Sequence, residues 1–286
     1  MSLYIQVTRM FCVCLAAGTL LVVTVQPQAQ TAEPARSSDT TGANPTGASR
    51  SLVTEIPAFN YSLGDKNKVQ FSPTDLMPGA VGQGQVKASK DGSVSLDVQF
   101  FGLASPTKFG NEFLTYVLWG SVPKGRTLKI GELISKGDHA RVLATTVLRT
   151  FAMMVTAEPY AAVAYPSNIV VLKAVSFAGN TTQTTPAQIQ LQGAVYAPPG
   201  YKYEPLDTSS GYPPEVVQAM NARRIAKVSG AEKYAPEKFQ AAESLYQLMT
   251  SVAIQEKKIS KQTLGVAKST ALSYEDARGS AVSNQR

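Results

Sequence analysis

The chain has 286 residues, a net charge of +7 and an isoelectric point near 9.3, and 44% of its residues are hydrophobic against 16% charged. Such a length can bury a substantial core without covalent cross-links, and the composition is that of an ordinary globular protein. The positive charge does not predict nucleic-acid binding, because the basic groups in 223–227 and 257–261 alternate with acidic residues along the chain. Attraction to anionic lipid or wall polymer stays open.

The first 29 residues predict a secretory signal peptide. Arg9 supplies a positive charge, 10–25 form an apolar stretch, and a polar segment leads to a cleavage point after Ala29. The apolar stretch is shorter than the about 20 residues that a bilayer-spanning helix needs. We therefore expect cleavage near Ala29, a periplasmic or secreted mature protein, and no stable transmembrane span.

The two cysteines, Cys12 and Cys14, both lie inside this apolar stretch. A lipoprotein signal places its cysteine after the apolar stretch, so we do not expect a lipoprotein. Once the signal peptide is removed, no cysteine remains for a disulfide, a thiol nucleophile, an iron–sulfur cluster or a zinc site.

Two low-complexity segments divide the rest of the chain. Residues 30–50 have alanine as their only apolar type and predict a disordered linker, since they cannot bury enough surface to offset chain entropy. Residues 197–214 carry prolines at both ends and a Gly/Ser centre, and they predict a second linker. Between them, 51–196 form the first predicted domain.

The segment 51–196 has the pattern of a β-domain. Residues 94–100 alternate apolar and polar side chains, as a half-buried strand does, and 113–119 are apolar enough for a central strand covered on both faces. Further strands are predicted at 127–130, 141–148, 150–156, 169–173 and 187–196. Short strands at regular turn spacing indicate an antiparallel sandwich or barrel, and we favour an immunoglobulin-like β-sandwich.

Residues 215–278 predict a C-terminal α-helical hairpin, followed by a disordered tail at 279–286. Pro214 opens the first helix, which runs to about Lys233, and Pro236 opens a second helix that reaches about Ala277. On the second helix, residues that are apolar except for Glu256 recur at heptad-like intervals. The register of this repeat shifts after Ile259. The predicted partner-binding residues on this helix are Phe239, Leu245, Met249 and Val252.

The β-segment resembles known envelope proteins over about a fifth of the chain. Its motifs are YVLW at 116–119, PKGR at 123–126, IGEL at 130–133, TFAMMVTAEP at 150–159 and YPSNIVVL at 165–172. Their order resembles the extracytoplasmic β-sandwich of anti-sigma-K-type factors, and more closely the N-terminal β-domain of some OmpA-family envelope proteins. The resemblance implies the sandwich fold and not the regulatory function, because the chain lacks the anti-sigma N-terminal domain.

The helical segment is similar to a periplasmic helical domain of unknown function. The similarity rests on GAEKYAPE at 230–237, followed by Phe239 and Ala242. That domain is found in Gram-negative envelope proteins, often just before an OmpA-like peptidoglycan-binding domain. The similarity implies a spacer or adaptor. It does not imply direct peptidoglycan binding, because no OmpA-like domain follows in this sequence.

No catalytic or metal-binding residue is predicted, and no cofactor. The one histidine, His139, lies in a polar turn without a second histidine or a Gly-x-Ser-x-Gly motif. Residues 82–84 (GQG) lack the third glycine and the lysine of a nucleotide loop, so we expect a flexible β-connection. Three glutamates, Glu112, Glu132 and Glu158, are spread over turns and strand ends.

We therefore expect a non-enzymatic periplasmic cell-envelope protein that acts as a structural spacer or protein-interaction adaptor. Its partner would be an envelope protein or a second copy, bound through the C-terminal helices. One alternative is a peptidoglycan or envelope-polymer binding module. A weaker alternative is a glycan hydrolase, which needs two carboxylates facing each other across a cleft.

Overall fold

The computed structural model describes residues 52–285 without 62, 65, 138, 179–181, 184, 193–195, 208–210 and 257. The predicted signal peptide at 1–29 and linker at 30–50 lie outside the described residues. Within the described part, strands precede helices, and the predicted fold class is confirmed at this level. The strands are β1 (Leu52–Ile56), β2 (Phe59–Asn60), β3 (Lys66–Pro73), β4 (Val81–Ala88), β5 (Val94–Phe101), β6 (Thr115–Ser121), β7 (Thr127–Glu132), β8 (Ile134–Lys136), β9 (His139–Thr146), β10 (Thr150–Glu158), β11 (Val170–Ala178), β12 (Thr182–Gln183) and β13 (Ala187–Leu191). The helices are α1 (Pro214–Val228), α2 (Ala231–Tyr234), α3 (Pro236–Gln255) and α4 (Lys261–Asn284).

The strands form one large antiparallel sheet that folds back on itself, with a separate β1–β13 ribbon. The sheet runs β12-β2-β10-β11-β3-β4-β5-β9-β8, and β10 also pairs with β6, which pairs with β7. Strand β7 lies close to β9, where a Cβ on Gly131 would be only 3.1 Å from Val142. The two ends of the sheet therefore meet, and the architecture is a sandwich that approaches a barrel.

The inner face of this sheet holds the β-region's core. On β5, Val94, Leu96, Val98 and Phe100 are buried, while Ser95 and Gln99 between them are exposed. This alternation is the one that the sequence predicts, because successive strand residues point to opposite faces.

Strands β6 and β10 are different, since both of their faces are covered. Every residue of β6 is buried, and so is β10 from Phe151 to Glu158. The prediction of a central strand around 113–119 is thus confirmed. Their register places Trp119 beside Met154 and Thr115 beside Glu158, so directly paired side chains share one face of the sheet.

The helices begin where proline allows and end differently from the prediction. Helices α1 and α3 begin at Pro214 and Pro236, as expected. The prediction of a single long helix to Ala277 is wrong, because the helix is interrupted between Gln255 and Lys261. At the break Ser260 caps α4 by accepting from the Thr263 N–H at 3.2 Å.

Glu256 secures this break and gives the physical reason for it. Its Oε2 accepts hydrogen bonds from the Ser260 N–H at 2.8 Å and from the Thr263 hydroxyl at 3.0 Å. A side chain that bonds local backbone in this way competes with helix continuation. Among the described residues, no helix has the length and apolar content to cross a membrane.

The predicted disordered tail at 279–286 is also wrong, because α4 continues to Asn284. The Asn284 amide donates to the Tyr234 carbonyl at 2.7 Å, and the Gln285 amide donates to the Ser229 carbonyl at 2.7 Å. These bonds attach the end of α4 to the segment between α1 and α3.

Part of the predicted linker 197–214 is packed into the structure. The Tyr203 side chain is buried, and its hydroxyl donates to the Tyr196 carbonyl at 2.7 Å. The Asn111 amide donates to the Tyr203 carbonyl, and the Arg224 guanidinium lies 4.9 Å from the Tyr203 ring. The β-region and the helices accordingly share one continuous core rather than being joined by a free tether.

One inner-face residue of β3 predicts a stabilising substitution. Asn67 is fully buried, and neither its Oδ1 nor its Nδ2 has a hydrogen-bond partner within the described part of the chain. Because an unpaired buried amide is costly, Asn67→Leu, which has the same shape, should raise the free energy of unfolding by about 1–2 kcal/mol. Urea denaturation measures the change, with Gln83→Leu on the exposed side of β4 as the control. A lower stability of Asn67→Leu would contradict the prediction.

Candidate functional site at the helix–sheet interface

The outer face of β6, β7 and β10 carries polar side chains, although helices cover it. Trp119, Thr156 and Glu158 lie on this face next to Thr115, and Glu132 of β7 is paired with Val117 of β6. Buried polar groups must find hydrogen-bond partners, since an unpaired one costs free energy. Some of the partners are neighbouring strand residues, and the others are Gln218 of α1, Ser167 and Tyr196.

Glu158 is a carboxyl group at this interface with no exposed surface. Its Oε1 accepts hydrogen bonds from the Ser167 N–H at 2.7 Å and from the Thr156 hydroxyl at 2.5 Å, and its Oε2 accepts one from Tyr196 at 3.3 Å. The Trp119 indole N–H donates to the Thr156 hydroxyl at 2.8 Å. Burial raises the pKa of Glu158 to about 8 despite these donors.

A second buried group is the ion pair between Glu275 and Arg278 on α4. Arg278 donates through Nε and Nη2 to the two Glu275 oxygens, both at 2.7 Å, and both side chains are less than a tenth exposed. Glu275 also accepts from the Tyr160 hydroxyl at 2.6 Å and from the Ala164 N–H at 3.2 Å. This pair fastens α4 to the segment after β10.

Helix α1 is fastened to the β-region through two amide side chains. The Gln218 Oε1 accepts from the Ala161 N–H at 2.7 Å, while its Nε2 donates to Glu132 at 2.5 Å. The Asn221 Nδ2 donates to the carbonyls of Glu112 and Pro159, both at 2.7 Å. These bonds fix the position of α1 relative to the strands.

Lys129 reaches the same segment from β7. Its Nζ donates to the Ala161 carbonyl and, at 3.3 Å, to the Val163 carbonyl. Burial lowers the pKa of Lys129, and the nearby carboxylates of Glu275, Glu158 and Glu132 oppose that shift.

Beside this network lies a cleft of about 1270 Å³. Its lining includes 162–165 and 190–192 from the β-region, and 234–238 and the C-terminal half of α4 from the helices. Lys129, Tyr196, Glu275 and Arg278 belong to both the buried network and the lining of the cleft. A large concave site with converging polar groups is the usual place for ligand binding.

The predicted partner-binding residues are mostly covered by the chain itself. Phe239 and Met249 are buried; the Phe239 ring lies 5.8 Å from the Tyr274 ring of α4. Leu245 and Val252 are only partly buried. Phe239 and Met249 therefore hold α3 within its own helical core, and only the other two can meet a partner.

The structure also shows where the glutamates and the histidine considered for hydrolase or metal chemistry lie. The glutamates Glu112, Glu132 and Glu158 all lie at the helix–sheet interface, and Glu158 is closed off from solvent. His139 begins β9, and its ring stacks on Phe101 at 6.1 Å. No metal-binding group of His, Cys, Asp and Glu occurs among the described residues.

The glycines of 82–84 lie within strand β4 and not in a flexible connection. A Cβ on Gly82 would come within 2.7 Å of the Phe100 ring and 2.9 Å of Phe71, so the core fills the space of its side chain. The short GQG sequence is thus a packing requirement of the sheet.

Four residues of this network are not predicted from the sequence: Tyr160, Gln218, Glu275 and Arg278. One signal pointed to them, namely that Glu158 ends a dense apolar strand and must be satisfied there. No family model, no curated protein and no solved structure matches this chain.

The buried ion pair yields a prediction with a matched control. Arg278→Met leaves the Glu275 carboxylate buried without its cation and should lower the free energy of unfolding by about 3–5 kcal/mol. Arg141→Met breaks a pair with the same bidentate geometry, to Asp97, but both side chains are about half exposed. That control should change stability little. Urea denaturation compares the two.

A double variant separates charge from packing at this site. Adding Glu275→Gln to Arg278→Met removes the uncompensated charge and should recover part of the lost stability. A double variant less stable than Arg278→Met would show that the cost lies in packing alone.

Glu158 predicts a pH dependence of stability. The folded state keeps the Glu158 proton to about pH 8, whereas the unfolded chain releases it near the ordinary value of 4.5. The unfolded state therefore binds fewer protons between these values, and stability falls as pH rises through this window. The Glu158→Gln variant should lack this pH-dependent loss of stability. The stability of the variant relative to the native chain should therefore grow from pH 4.5 to 8 and then level off.

Thermal unfolding across this pH range measures the difference. Glu55→Gln, at an exposed position of β1, controls for the loss of a carboxyl group. If Glu158→Gln and the native chain keep a constant difference, the carboxyl is ionised in the fold at neutral pH.

Proposed function

We propose that this chain is a non-enzymatic cell-envelope protein, exported to the periplasm, which acts as a structural spacer or as an adaptor for another envelope protein. The resemblances of 116–172 to OmpA-family β-domains and of 230–242 to a periplasmic helical domain support the envelope location. The order of charge, apolar stretch and polar exit in 1–29 supports export.

The observation that carries the non-enzymatic proposal is how the buried ionisable groups are used. Both oxygens of Glu158 accept hydrogen bonds from the chain, and both oxygens of Glu275 accept from Arg278 and from residues after β10. A general acid or base must reach its substrate, but Glu158 has no exposed surface. These groups join helices to strands, as a rigid spacer requires.

The outer side of α3 supports the adaptor part of the proposal. Leu248 is 50% exposed, and it lies on one side of α3 with the partly buried Leu245 and Val252. The spacing of three and four residues places these side chains in one apolar stripe, the form in which a helix docks an apolar helix of a partner. We name this stripe the α3 stripe.

An envelope-polymer binding module is the second candidate, and the cleft beside α4 favours it. The cleft is large, and its walls are held in place by the bonds of Glu275 and Arg278. Glycan hydrolysis gains no comparable support, because it needs two carboxylates that face each other across an open site.

The α3 stripe is tested by Leu248→Asp. A charge placed in an apolar contact should weaken association by about tenfold or more. Sedimentation velocity shows whether the native chain forms an assembly that Leu248→Asp dissolves, which identifies a second copy as the partner. Leu143→Asp, at an exposed leucine of β9, is the control.

If the native chain is monomeric, a photo-crosslinking residue at position 248 in cells tests a different partner. We expect one defined adduct, absent from position 143 and lost when Leu245→Asp is added. A monomer without such an adduct would overturn the adaptor proposal and leave the polymer-binding candidate.

A further inference from the structure

The cleft beside α4 combines features that select a class of ligand. This inference rests on the second candidate function, the polymer-binding module, and is independent of the α3 stripe.

The charges that line the cleft cancel. Three are cationic and three are anionic, and two pairs of them are joined directly: Lys238 with Asp276 at 2.9 Å, and Arg278 with Glu275 at 2.7 Å. A cleft without net charge does not attract a strongly charged ligand. Besides three tyrosines, the remaining polar side chains are amides and hydroxyls, which pair with uncharged polar groups; they are Gln190, Gln192, Ser280, Ser283 and Asn284.

Two exposed tyrosines line the cleft, one from 162–165 and one from 234–238. Tyr165 is 58% exposed and Tyr234 is 36% exposed, and the Lys233 ammonium lies 4.9 Å from the Tyr234 ring. Exposed aromatic rings offer flat apolar faces together with a polar hydroxyl. The C–H-rich faces of sugar rings are apolar, while their edges carry hydroxyl groups, so this combination suits a glycan.

The side of α4 that faces the cleft is open and offers a donor. A Cβ on Gly279 would meet nothing within 4 Å, so space lies above the helix at this point. Arg278 lines the cleft and uses Nε and Nη2 for Glu275, so its Nη1 takes no part in that pair. Because most of this guanidinium is buried and oriented by Glu275, a hydrogen bond from Nη1 costs little ordering.

An extended peptide fits the cleft less well. Peptides commonly add to a free strand edge, and β13 is the strand that borders the cleft. Just beyond its end, the Gln192 N–H already donates to the Pro166 carbonyl at 2.9 Å, so this end of the edge is occupied by the chain itself.

We propose that this cleft binds an uncharged segment of a glycan, with Tyr165 and Tyr234 contacting the sugar faces. The amides of Gln190, Gln192 and Asn284 and the Nη1 of Arg278 hydrogen-bond the hydroxyl or acetamido groups. A volume of about 1270 Å³ exceeds that of a drug-sized pocket and accommodates several sugar units.

Calorimetric titration of the whole chain tests the proposal. The probes are the β-1,4-linked tetrasaccharides of N-acetylglucosamine and of glucose, and a dodecapeptide of alternating alanine and glutamine. We expect at least one tetrasaccharide to bind and the peptide not to bind. Tyr165→Ala and Tyr234→Ala should each weaken that binding by about tenfold. Tyr201→Ala, at a tyrosine 50% exposed outside the cleft, should not.

Two outcomes would overturn the proposal. If neither tetrasaccharide binds, or if both cleft variants bind like the native chain, the cleft is not a glycan site. If only the peptide binds, the cleft is a peptide site. Co-sedimentation with isolated peptidoglycan sacculi distinguishes failure of the cleft proposal from failure of the polymer-binding function. Retention that survives Tyr165→Ala would support a polymer-binding module that uses another surface.

Discussion

The constraint on which the structure depends is the burial of both faces of β6 and β10. An antiparallel sheet usually leaves one face in water, where polar side chains need no protein partner. Here the outer face carries the Trp119 indole, the Thr156 hydroxyl and the Glu158 carboxyl, and it is covered. Trp119 donates to Thr156 and Thr156 donates to Glu158 within the sheet, so the covering layer must satisfy Glu158, through the Ser167 N–H and the Tyr196 hydroxyl. Glu132 on the same face is bonded by Gln218 of α1, and α1 must sit in one position to provide that bond. Burial and hydrogen bonding together determine where the helices lie.

The position of the helices in turn creates the cleft. Gln218 on α1 and Glu275 on α4 both bond main-chain groups of the segment that follows β10, so the two helices are set against the same stretch of backbone. The cleft opens between that stretch and α4, and its walls are fixed before any ligand arrives. A site on rigid elements, supported by buried hydrogen bonds, binds without a large ordering cost.

The sequence predicts those parts of the fold that depend on local pattern. The alternation of 94–100, the dense run 113–119 and the prolines at 214 and 236 locate two strands and two helix starts. Strands β3 and β4 escape prediction, because lysine and glutamine occupy their outward positions and glycines interrupt β4. The break after α3 is not predicted either. In the sequence Glu256 is only one polar member of a helical repeat, and its hydrogen bond from Ser260 becomes visible only in the structure. The candidate site depends on partners such as Tyr160 and Glu275, which lie 115 residues apart, and no local pattern records such a pairing.

The ion pair of Glu275 and Arg278 is not the simplest way to fill a buried interface. Apolar side chains of similar volume often give equal or greater stability, because they avoid the desolvation of two charges. An apolar contact would, however, leave α4 free to slide or rotate by a fraction of a turn. The hydrogen bonds that Glu275 accepts from the Tyr160 hydroxyl and the Ala164 N–H fix the register of α4, and Arg278 holds the Glu275 carboxylate in place for them. The same geometry leaves one edge of the guanidinium for the cleft. We infer that the pair is retained for position rather than for stability, which links the buried network to the proposed binding site.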